Sequence, residues 1–114
     1  MVLVRMLVLA ASLVLISACA EKSSTPRNSG VEIIDVSFQG HQENRPPYTV
    51  SKGQHVQIRV STTVADELYV HGYEQKADAP AGYPAAVEFV ADKTGRFDVE
   101  MRRAGVKLFE LRVS

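Results

Sequence analysis

Between Val31 and Ser114 no stretch keeps a helical period for three turns, and this constrains the fold more than any other feature. Short apolar or alternating runs recur instead: VEIIDVSF (31–38), HVQIRVSTT (55–63), ELYVHGY (67–73), AAVEFVA (85–91), RFDVEMR (96–102) and VKLFELRV (106–113). A shorter run, YTV (48–50), is a further candidate. The intervening GHQENRPP, SKGQ, VAD, EQKADAPAGYP, DKTG and RAG each supply glycine, proline or aspartate for turns. The chain therefore reads as all-β.

Within HVQIRV, Val56, Ile58 and Val60 share one face of a strand, while Gln57, Arg59 and Ser61 share the other. The same alternation turns Phe97, Val99 and Met101 inward on the penultimate run and Phe109, Leu111 and Val113 inward on the last. Single-faced strands of this kind bury their apolar side in a two-layer, antiparallel Greek-key β-sandwich. The last hairpin cannot have the two-residue loop Ala104-Gly105, because Phe97 would then face Arg112 and Val99 would face Glu110. A three-residue loop, Arg103-Ala104-Gly105, sets Phe97 opposite Leu111 and Val99 opposite Phe109, with Gly105 as a bulge residue. Its weakness is that Asp98 faces Glu110 and Arg96 faces Arg112. A further shift repairs the Asp98 pairing but moves Val106 to the positive-φ position.

The first 18 residues, MVLVRMLVLAASLVLISA, carry one early positive charge at Arg5 and then an apolar run ending in small residues, the plan of a secretory leader. That run is shorter than the ~18 to 20 residues a membrane-spanning helix needs. Ile16, Ser17 and Ala18 precede Cys19, and LISAC resembles the lipobox of bacterial lipoproteins. The resemblance implies cleavage before Cys19, acylation of its sulfur and new amino terminus, and an anchor in the lipid bilayer. Two or more acyl chains, at ~0.8 kcal/mol per buried methylene, make such an anchor stable. The expected location is the periplasmic side of a bacterial membrane. Ala20 is not aspartate, which by resemblance to bacterial sorting rules points to the outer membrane. Residues 19–30 are polar and serine-rich and read as a flexible tether, with one folded domain over 31–114.

Cys19 is the only cysteine, so the folded domain has neither a disulfide nor a thiolate ligand to offer. Acidic and basic side chains are balanced at 13 each, which gives no basic excess for nucleic acid. No glycine-flanked nucleophile occurs, and Glu67, Asp78, Glu88, Asp98 and Glu100 alternate with apolar positions as solvated faces do. The expectation is that the chain is not an enzyme.

The segment 66–101 resembles the cupredoxin superfamily, and most of all the periplasmic cupredoxin-like domains related to cytochrome c oxidase subunit II. Asp66, His71, Gly72 and Tyr73 match the surroundings of the first copper-ligand histidine, followed by KADAPAG, DKTG and a strand that opens on Phe97. The resemblance implies a cupredoxin-like sandwich over 31–114. It also implies a thiolate, a second histidine and a methionine on the loop between the last two strands. The thiolate position falls at or near Met101, and neither a cysteine nor a histidine follows it. Type 1 copper is therefore not expected.

Several readings of the site remain open. His71 is either a retained histidine in a hydrogen bond or, with Met101, a soft-metal site able to take Cu(I), with His41 or His55 as a further candidate ligand. Met101 on an inward position also reads as plain core. Tyr69, His71, Tyr73 and Tyr83 are candidates for a protein-binding face, since tyrosine is enriched at interfaces. The leading expectation is a membrane-anchored envelope lipoprotein whose domain binds or supports an envelope protein partner without a cofactor. The alternatives are a periplasmic copper or other metal carrier using His71 and Met101, and an immunoglobulin-like adhesion module.

Overall fold

The computed structural model describes residues 30–114. The leader, Cys19 and all but the last residue of the tether lie outside them. Eight strands follow in order: β1 (Val31–Phe38), β2 (Tyr48–Val50), β3 (His55–Thr62), β4 (Asp66–Val70), β5 (Gln75–Ala79), β6 (Ala85–Val90), β7 (Gly95–Met101) and β8 (Val106–Val113). They form a three-stranded sheet, β1-β3-β6, packed on a five-stranded sheet, β2-β8-β7-β4-β5. The sandwich expected from the sequence is present, but each sheet contains one parallel pair, β1 with β3 and β2 with β8. The connection from residue 39 to 47 carries the chain from one sheet to the other. That crossover allows both β1 and β2 to lie parallel to later strands, which a hairpin could not do.

Inward residues meet between the layers. Val56, Ile58, Val60, Leu68, Val70, Val99, Met101 and Leu111 are fully buried, and Phe38, Leu108 and Phe109 nearly so. The alternation read from HVQIRV is thus the alternation observed.

Two local departures have physical causes. β4 ends at Val70 instead of running on to Tyr73, because Gly72 (φ +86°) and Glu74 (φ +51°) turn the chain back into β5. A Cβ at Gly72 would come 2.3 Å from Phe97 Cδ1, so only glycine fits the close approach. β5 itself, QKADA, was expected as loop. It has no β-branched or aromatic residue, and it is a strand because β4 pairs with it over all five positions.

The last hairpin keeps the expected register at its far end, with Phe97 opposite Leu111 and Val99 opposite Phe109. Nearer the turn the register shifts, and Glu100 faces Lys107 while Met101 faces Val106. Leu108 is the extra residue, so the bulge lies there and not at Gly105, and the turn has four residues, 102–105. The bulge is what lets consecutive Leu108 and Phe109 both enter the core. It also puts Lys107 on the outer face, with Nζ 3.3 Å from Asp98 and 4.0 Å from Glu110. Arg112 bonds Glu110 at 2.7 Å and is the first cause of that carboxyl titrating below its usual range. The Asp98–Glu110 pair that seemed a weakness is therefore bridged by Lys107, while Arg112, which faces Arg96, is paired with Glu110.

Candidate functional site

Polar side chains gather at two places: the end of the sandwich that carries the β7–β8 turn, and the outer face of β4 and β7. At the turn, Asp66 opens β4 and is 3% exposed. Its carboxylate accepts from the backbone N–H of Glu67 at 2.7 Å, of Arg103 at 2.7 Å and of Ala104 at 3.1 Å. The Arg102 N–H donates to Glu67 O at 2.8 Å beside it. These bonds hold residues 102–105 in a tight turn whose side chains are Arg102, Arg103, Ala104 and none at Gly105. The turn offers no thiolate, imidazole or thioether, and the Asp66 carboxylate beside it is engaged with backbone donors. Type 1 copper, which needs two imidazoles and a thiolate, does not fit these residues.

On the outer face, Tyr69 is covered by its neighbours. The His71 ring meets it edge-on with centroids 4.6 Å apart, and the Arg102 guanidinium lies over it at 4.4 Å. The Tyr69 hydroxyl donates to Glu74 Oε2, and this bond is the main reason its ionisation is pushed above the usual tyrosine range, with burial adding to it. His71 Nε2 lies 2.7 Å from Glu100 Oε1, and Arg102 Nη1 lies 3.7 Å from Glu67. The register explains the grouping: Tyr69 pairs with Glu100 across β4 and β7, and alternation puts His71 and Arg102 on the same side.

His71 and Met101 are not brought together. Met101 pairs with Leu68 and is wholly buried, on the inner face. His71 donates its backbone N–H to Asp98 O at 3.0 Å and projects outward, three positions farther along β7. That is roughly 10 Å of strand between them, on opposite faces of the sheet. His41 is exposed with Nε2 3.4 Å from Glu43, and exposed His55 opens β3. Among the described residues no three or more His, Cys, Asp or Glu side chains are placed to share a metal ion.

The proposed tyrosine face also divides. Tyr69 and His71 do touch, but Tyr73 turns inward against the rings of Phe89 and Phe97, with its hydroxyl bonded to the Lys93 backbone. Tyr83 is 69% exposed in the β5–β6 connection, at the end of the sandwich that carries the β7–β8 turn and away from Tyr73. Sequence reasoning missed Glu74, Glu100 and Arg102 as companions of Tyr69. Alternation places Glu100 and Arg102 outward, and the β4–β7 register would have found them.

No family profile matches the chain, and no curated protein matches it. Solved structures do. The chain is similar to the solution structure of a copper binding protein in its apo form, with 17% identity and a TM-score of 0.62, over 75% of this chain and 89% of that one. It is also similar to a multi-copper oxidase from Pediococcus acidilactici at 12% identity and TM-score 0.60, over 91% of this chain but only 30% of the oxidase. A heme-copper terminal oxidase matches at 12% identity and TM-score 0.50, over 73% of this chain and 60% of that one. At these identities the likeness speaks of architecture alone, and the architecture is that of a cupredoxin-like β-sandwich.

Proposed function

We propose that the chain is a binding module of the bacterial cell envelope, tethered by an acylated Cys19 on the periplasmic side of the outer membrane and without redox chemistry of its own. The observation that carries the reading is the β7–β8 turn. Asp66 holds it shut through backbone bonds, and the residues there cannot supply a blue-copper donor set. Kinship with the oxidase subunit II type of domain rests on the KADAPAG and DKTG segments and on the shared fold. The module is read as non-enzymatic, with an envelope protein as its partner. Lipid anchoring predicts that Cys19→Ser moves the protein from the membrane fraction to the soluble fraction; retention in the membrane would contradict it.

A second reading, a Cu(I) or other metal carrier, draws support from the likeness to a copper binding protein. In this chain it would have to work through outer-face His71 with Glu100 beside it, since Met101 lies in the core. Melting with and without Cu(I) separates the two. The binding-module reading predicts an unchanged melting temperature, whereas a rise that His71→Ala abolishes would establish the carrier.

A further inference from the structure

The two long sides of the sandwich are not alike. On one, β5 and β6 approach each other and close it. On the other, β1 is the free edge of its sheet and β2 covers only three residues of β8. Between them runs an apolar groove of about 290 Å³, lined by Ile34, Val36, Pro46, Tyr48 and Phe109, with Ile33 at its lip. It is bridged at both ends. Tyr48 donates to Glu32 at 2.7 Å at one end. At the other, Arg45 donates to Ser37 O on β1 and, at 3.5 Å, to Leu108 O on β8.

The ladder fixes which β1 groups remain available. Phe38 O accepts from Thr63 N at 3.2 Å, so the even-numbered residues of β1 bond to β3. Ser37 O faces Arg45 on the other side, so Ile33 and Asp35 direct both backbone groups toward the open edge, with no partner among the described residues. β1 thus presents a strand edge beside an apolar slot, the arrangement used to add an extended peptide to a sheet.

We propose that this edge docks an extended segment of another polypeptide that alternates apolar and basic residues. Its apolar side chains enter the groove beside Ile34 and Val36, and a basic side chain faces exposed Asp35. Charge decides against two copies joined β1 to β1. β1 carries Glu32 and Asp35 and no basic residue, so two β1 edges would bring carboxylates together. This inference rests on the binding-module reading and names its surface and partner chemistry. Its readout is independent of copper, so failure of one does not entail failure of the other.

The test uses the isotopically labelled full chain in detergent micelles and a capped hexapeptide of alternating valine and lysine. The expected result, for a strand added antiparallel so that the lysines opposite Ile33 and Asp35 exchange both backbone bonds with them, is saturable shifts and slowed exchange at the Ile33 and Asp35 amides, lost when the lysine amides of the peptide are N-methylated but kept when the valine amides are. Asp35→Lys, at an exposed site, should weaken this peptide by about fivefold or more and favour a valine–glutamate peptide instead. Absence of saturable binding, shifts confined to another surface, or protection of the β1 edge by self-association without peptide would each overturn the proposal.

Discussion

Tyr69 holds three partners at once, the Glu74 carboxylate at its hydroxyl, the His71 ring at its edge and the Arg102 guanidinium over its face. This is how a tyrosine on the solvent side of a sheet comes to be 7% exposed. The bond to Glu74 needs the hydroxyl proton, so ionisation of folded Tyr69 is displaced upward relative to the unfolded chain. A group whose folded value is raised contributes stability that is complete below its unfolded value, about pH 10, and is lost as pH rises through the folded value. Tyr48, bonded to Glu32, behaves the same way. The melting temperature should therefore fall above about pH 10, and Tyr69→Phe should flatten that fall. Melts from neutral to strongly alkaline pH check this; an identical alkaline slope in the variant would show that the Glu74 bond contributes nothing.

At the level of elements, the β7–β8 hairpin owes its form to a residue far from it in sequence. Asp66 begins β4, yet its carboxylate serves the Arg103 and Ala104 amides across the end of the sandwich. Bonds to a charged acceptor are worth about 1.5–3 kcal/mol each, and the amides left behind on truncation lose their partner in a half-buried place. Asp66→Ala should cost about 3 kcal/mol of unfolding free energy and speed hydrogen exchange at Arg103 and Ala104. Unchanged stability with both amides still protected would mean that the turn holds itself. The cupredoxin resemblance groups Asp66 with His71 in a copper-ligand motif. Two of its three partners are 37 and 38 positions away, which local pattern does not reveal. The same limit applies to QKADA: nothing in its composition marks a strand, and only the pairing partner Asp66–Val70 makes it one.

For the whole molecule, period-two alternation was sufficient to recover the layers, because residues such as Val56, Ile58 and Val60 can be buried together in only one way. The crossover that makes β1 and β2 parallel to later strands was not legible, since alternation is blind to strand direction. The site was legible in part. Tyr69 and His71 do meet, but the missing copper donors were visible only as absent residue types. What replaces them, a turn clamped by Asp66, needed three dimensions. This sandwich has the cupredoxin-like architecture without the donor set of a blue-copper site. The visible absorption spectrum of the purified protein after addition of Cu(II) tests that claim most directly. No intense band toward the red end of the visible is expected, because residues 31–114 contain no cysteine to form a thiolate–copper bond; a strong blue colour would contradict this.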